Sequence, residues 1–139
     1  MYIPHIYMKT IFLSGPIRGL ERTDSLSWRN DAEAKLCKDF TVLNPLRNRE
    51  EKGSFPFPKG IVIRDKSDIL KSDIILVNDE FPTATMIGTA MEVIYAHQLD
   101  KVIILFGEGH DGDLWLEYHS HMRFKTMDEA IEFIIKMFK

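Results

Sequence analysis

Two carboxylates and a glycine–arginine loop are the residues whose types and spacing suit chemistry on a small molecule. Glu92 stands in "GTAMEVIYA", three residues after Thr89. That Thr-x-x-Glu spacing is a capping box, in which the glutamate reaches back to the first free N–H of its helix. The same position suits a sharper role. A carboxylate in a first helical turn feels the positive end of the dipole and stays ionised. Ionised and poorly solvated, it is a competent nucleophile. Spacing alone accommodates both readings. Asp65 lies on the preceding helical stretch, and an acid near a carboxylate nucleophile completes the pair that breaks glycosidic bonds. Asp73 precedes an apolar run and reads as a cap or turn residue at the opposite edge; Asp68 reads as solvated.

The loop is "SGPIRG", residues 14–19, which ends the apolar run beginning at Ile11. Gly15 and Gly19 let backbone approach a ligand, and free N–H groups there hold anions. Arg18 adds a fixed charge with bidentate geometry for phosphate or carboxylate. On the loop alone, an ordinary strand-to-helix turn with a solvated arginine is favoured, since a short glycine-rich loop is a weak signal. "LWLEYHSH" carries a His-x-His; on a strand, His119 and His121 would face the same way. With no third ligand in view they make no zinc set, so no metal is expected. "GEGHDGD" has turn composition and lacks the length and glutamate of a calcium loop.

The elements that must position these groups alternate along the chain. Strand-like apolar runs occur at 11–14, in "FTVLNP", at "DIILV" (73–77) and at "KVIILF" (101–106), with a short fifth expected near "HMRF". Helical spacing appears over 24–38, where Ser25 or Ser27 offers a cap, and over 59–71, 88–99 and the tail "TMDEAIEFIIKMFK". Thr126-x-x-Glu129 opens that last helix as a capping box. Continuous apolar strands between helices imply a parallel sheet covered on both faces. The expectation is one three-layer α/β/α domain over residues 1–139, doubly wound in the flavodoxin/Rossmann manner. In such sheets ligands bind beyond the carboxyl ends of the strands. The charged, proline-containing loop 46–58, with "FPFP", is expected to cover the site as a lid.

Composition narrows the classes. The chain has 139 residues, 45% of them hydrophobic, and a formal net charge of −3. That charge offers no broad basic surface for a nucleic-acid polymer and no polybasic anchor for a membrane. Cys37, the single cysteine, excludes an intrachain disulfide and fits a reducing, cytoplasmic setting. "MYIPHIYMK" lacks the apolar core of a secretory signal.

The ordered set "IFLSGPIRG", "VLNP", "RDKSDILKSDIILVN", "GTAMEVIYAH", "WLEYHSH" and "MDEAIEFI" resembles the nucleoside 2-deoxyribosyltransferase family, from about Lys9 to Phe138. The resemblance implies a five-stranded parallel α/β/α fold that works as an oligomer without a cofactor. It implies cleavage of the N-glycosidic bond of a deoxynucleoside. Glu92 would attack the anomeric carbon to form a covalent deoxyribosyl-enzyme, and Asp65 would protonate the departing base. The sugar then passes to another base or to water.

"GPIRG" is similar to relatives that hydrolyse deoxynucleoside 5'-monophosphates, which implies that Ser14, Gly15, Arg18 and Gly19 meet the 5' end. Asn78, Met86 and Gly88 are implied as further substrate contacts, and Ser120 as a residue lent to a neighbouring subunit's site. Two positions depart from the family pattern. Phe12 stands where many members have a tyrosine near the nucleophile, and Met86 where transferases often have an aspartate contacting the base. Three functions follow as expectations. The leading one is deoxyribosyl transfer between bases. The second is nucleotide N-glycosidase activity, and the third a nucleotide sensor without turnover.

Overall fold

In the computed structural model, which describes residues 7–49 and 57–139, ten elements alternate. The start of "MYIPHIYMK" and the middle of the expected lid, residues 50–56, lie outside the described residues. The strands are β1 (Thr10–Ser14), β2 (Thr41–Leu43), β3 (Ile74–Asn78), β4 (Val102–Phe106) and β5 (Met122–Phe124). The helices are α1 (Arg22–Leu36), α2 (Pro58–Lys71), α3 (Ile87–Gln98), α4 (Leu114–Tyr118) and α5 (Met127–Phe138). All pairings are parallel, in the order β2-β1-β3-β4-β5. The five-stranded parallel sheet between two helical layers is as expected, and its order is the flavodoxin-like one, which reverses direction between β1 and β3.

Strand alternation sorts the core into two layers. Ile11, Leu13, Ile74, Leu76, Ile104 and Phe106 face α1 and α5, meeting Trp28, Ala32, Leu36, Ile131 and Ile134. Phe12, Ile75, Val77, Ile103 and Leu105 face the other way, against Ile69 of α2, Val93 and Ala96 of α3 and Leu116 of α4. Phe12 is therefore an interior packing residue, fully buried. At the strands' amino ends, Asp73 closes the sheet as expected: its carboxylate accepts from Thr10 N at 2.8 Å and its own N–H donates to Thr10 O.

Several local expectations are corrected. α1 begins at Arg22 with Glu21 as an N-cap that makes no side-chain bond. Ser25 and Ser27 lie inside the helix, and Ser25 Oγ donates to Arg22 O instead. Asp68 is not solvated. It is 2% exposed and takes both terminal nitrogens of Arg47 at 2.7 and 2.9 Å. "LWLEY" is a short helix, not a strand, because Asp113 caps it by accepting from Leu116 N. His119 is its C-cap and His121 lies beyond, so the two do not share a strand face. The Thr126 cap of α5 is present, its hydroxyl accepting from Glu129 N at 3.2 Å.

Just past β3, the fully buried Asp79 gathers three donors. Arg123 Nη1 lies 2.8 Å away, the His110 ring 2.6 Å and the His110 N–H 3.0 Å. Arg123 also holds Glu117 of α4 through Nε at 2.8 Å. This clasp ties the ends of β3 and β5 and the loop after β4 into one unit. Removing one partner of a buried pair strands the other charge. Arg123→Met is therefore expected to lower unfolding free energy at neutral pH by about 3 kcal/mol, read from the urea midpoint.

Candidate active site

The site forms beside the β1/β3 reversal. Ser14 is the last residue of β1, and alternation turns it the same way as Phe12, towards α3. Its hydroxyl donates to Glu92 Oε1 at 2.8 Å. Gly15 must be glycine, because a Cβ there would lie 2.8 Å from Trp28 Cζ2 and 3.2 Å from Asn78 Cβ. Beneath it, Arg29 of α1 donates through Nη2 to the Gly15 carbonyl at 2.8 Å. The loop then rises to Arg18 and turns at Gly19, whose φ of +85° is left-handed.

A cavity of about 440 Å³ opens above this floor. The loop residues Gly15 to Arg18 form one wall, and Thr85, Gly88 and Thr89 another. Asp65 of α2 and Glu92 of α3 enter it together, with Arg49 and Arg18 at its sides. A second groove of about 350 Å³ runs between α2 and α3, lined by Val62, Ile69, Met91 and Tyr95. Asp65 and Glu92 border both spaces.

Burial dominates the electrostatics. It pushes the Asp65 carboxyl up to about 6, against the pull of Arg49 and Arg64. It pushes Glu92 up to about 8; the Asp65 charge adds to the rise, while the Ser14 hydrogen bond, Arg29 and Arg49 oppose it. This corrects the expectation of a dipole-held, ionised Glu92. α3 starts at Ile87 behind Met86, so Glu92 belongs to the second turn and Thr89 caps nothing. Two interacting carboxyls with raised affinities keep a proton between them at neutral pH and titrate as a unit.

Of the sequence candidates, Asp65, Glu92, Gly15, Arg18 and Gly88 line the one cavity, and Ser14 touches it through Glu92. Gly19 stands beside Thr85 of the opposite wall. Asn78 lies under Gly15; its side-chain oxygen accepts from Glu80 N, and its Nδ2 has no partner among the described residues. Met86 is not brought in. It lines a separate space of about 90 Å³ with Ile94, His110 and Trp115. Ser120 is also outside, donating to Glu117 O. His119 Nδ1 bonds Trp115 O and His121 Nδ1 accepts from Ile103 N. Among the described residues, no three metal-ligating groups converge.

Two site arginines were missed. Arg29 carried a signal, a charged residue in line with Ser25, Ala32 and Leu36 on the buried face of α1. Arg49 carried none, standing in "RNRE" among charges that look solvated.

Comparison with known proteins bears on the fold and the family. No family model matches the chain, and no curated protein matches it. Solved structures do. A conserved protein from Enterococcus faecalis V583 superposes with a TM-score of 0.73 at 16% identity, over 94% of this chain and 99% of that one. A 2-deoxyribosyltransferase from Bacillus psychrosaccharolyticus gives 0.66 at 25% identity, over 88% and 90%. A CMP N-glycosidase from Clostridium botulinum gives 0.63 at 18% identity, over 94% and 100%. The likeness to the nucleoside 2-deoxyribosyltransferase family read in the sequence thus extends to three dimensions. No helix among the described residues is long and apolar enough to cross a membrane.

The raised carboxyl affinities fix the sign of one pH effect. A group whose affinity for protons is higher folded than unfolded favours the fold below its unfolded pKa, and that stability is lost as pH rises through the folded one. For Glu92 the window runs from its ordinary 4.5 to about 8. Glu92→Gln should therefore gain stability over the parent as pH rises through this window and hold a constant lead above it. Urea unfolding across the range checks this.

Proposed function

We propose that the protein breaks the N-glycosidic bond of a nucleoside 5'-monophosphate, 2'-deoxy by the family likeness, through a covalent glycosyl-Glu92 intermediate. The observation that carries the reading is the convergence of Asp65 and Glu92 on one cavity from two different helices. Arg18 and Arg49 on the same cavity favour a phosphate-bearing substrate over a neutral nucleoside.

At rest the shared proton favours Glu92, the higher of the two, and the reactive form is the one in which it has passed to Asp65 and Glu92 is ionised. Glu92 as carboxylate attacks the anomeric carbon, the carbon–nitrogen bond breaks, and Asp65 delivers its proton to the leaving base nitrogen. Positive charge that develops on the sugar favours the ionised Glu92. Ser14, donating to Oε1, leaves Oε2 as the attacking oxygen. Asp65, now ionised, takes a proton from water as that water attacks the anomeric carbon and frees Glu92. Two inversions give retention.

A second reading, transfer of the sugar to another base, has its own observation. The apolar groove between α2 and α3 meets the same two carboxylates and has room for a planar base. The family likeness also suggests self-association, with Ser120, outside its own cavity, serving a neighbour's. The exposed Leu114, Trp115 and Tyr118 give α4 an apolar face for it.

Chromatography of mixtures with ribo- and deoxynucleosides and their monophosphates, each with and without a second base, tests both readings. Release from monophosphates, indifferent to added base and abolished in Glu92→Gln, is expected. Arg18→Met and Arg49→Met should each raise KM for monophosphates about tenfold or more, as loss of a charged hydrogen bond does, with nucleosides hardly affected. Appearance of a new nucleoside would instead establish transfer. A wild-type protein that releases no base would refute both.

A further inference from the structure

Arg29 has no part in the reaction just described, yet it heads the completely buried side chains by volume, at 0% exposed. Its guanidinium donates to two neutral carbonyls, Ser25 O and Gly15 O, each at 2.8 Å, and lies over the Trp28 ring at 4.6 Å. Among the described residues no ion pair joins it to a carboxylate, and its Nε has no partner. Burying a cation without a paired anion is costly. On α1 it shares the buried face with Trp28, Ala32 and Leu36, apolar members of the core, where packing by itself requires no charge.

The charge sits where it can act on Glu92. Gly15, whose carbonyl the guanidinium holds, directly follows Ser14, whose hydroxyl holds Glu92. The groups facing Glu92 are Ser14 from β1, Asp65 from α2, Arg49 from the segment after β2 and Arg29 from α1, with Arg18 across the cavity. Arg18 and Arg49 line the cavity and would be engaged by an anionic ligand. Arg29 lies beneath the floor.

We propose that Arg29 is a positioning residue for the carboxylate pair: from beneath the loop it fixes the Ser14–Gly15 corner that holds Glu92, and it supplies a permanent positive charge, shielded from ligand and solvent, that lets Glu92 ionise. The inference deepens the proposed function and rests on Glu92 being its nucleophile. Burial lowers Arg29 only to about 10, so it stays charged at neutral pH, and Glu92 and Asp65 both favour its charged form.

The test follows the Glu92 side-chain carboxyl by carbon NMR in ligand-free protein, assigned with Glu92→Gln. Arg29→Gln and Arg29→Met remove the charge, and Arg29→Lys keeps it. Gln and Met should raise the pH at which Glu92 titrates by at least about half a unit, and Lys should bring it back. The acid limb of kcat/KM for base release should move by the same amount. A Glu92 titration unchanged in folded Gln and Met variants overturns the proposal. So does a result in which only the Lys variant folds, which would make the cation a requirement of the fold itself. If the titration shifts while wild-type protein releases no base from any substrate, Arg29 keeps its role towards Glu92 and the glycosidic reading fails.

Discussion

The hydrogen bond from Ser14 to Glu92 joins the strand layer to the helix layer at the place where the sheet reverses its order. A carboxylate away from water resists ionisation, and Glu92 is pushed to about 8 chiefly for that reason. The Ser14 hydroxyl, hydrogen-bonded to the carboxylate at 2.8 Å, opposes this rise. Its position depends on three things farther down. β1 must present its last residue towards α3, Gly15 must pass tight against Trp28, and α1 must lie close enough for Arg29 to grip the Gly15 carbonyl.

Around that bond the charges are arranged in shells. Two carboxyls with weakened acidity lie innermost. Guanidinium groups surround them, Arg29 below and Arg18 and Arg49 at the sides. Such a site holds a proton and attracts an anion at once, because the carboxyls are partly neutral while the arginines remain charged. The buried Asp79 and Asp68 behave differently. Each sits in direct contact with an arginine, and each serves the fold rather than the cavity. All four acids have arginines nearby; direct pairing marks the two that serve the fold, and among the described residues no such pair engages the two that line the cavity.

What was legible in the sequence follows from this division. The strands at 11–14, 73–77 and 101–106 were readable because burial on both faces demands unbroken apolar runs. Gly15, Arg18 and Glu92 could be placed together because they follow strand ends at one edge, whereas Asp65, in the middle of a helix, joined them only as a second acid beside Glu92 and through the family resemblance. The misreadings share a cause. The Thr89–Glu92 spacing fits a capping box, but the helix starts two residues before Thr89, and a shift that small changes a cap into a wall. "LWLEYHSH" would turn its two histidines to one face only as a strand, and Asp113 caps its start as a helix instead. Asp68 and Arg49 are charged residues in charged surroundings, and only the three-dimensional path of the chain decides which of them face inward.

The packing of Gly15 against Trp28 has a consequence for how such a molecule can diverge. No side chain larger than hydrogen fits at Gly15 without displacing an indole ring and the amide beneath it. The floor of the cavity is thus closed to gradual change. Val62, Ile87 and Met91 stand exposed on α2 and α3, where a new side chain meets mostly open space. Natural variation can therefore remodel the helical walls step by step while the floor stays as it is. New preferences for what enters would arise on the helices, and the loop would remain the lineage's fixed inheritance.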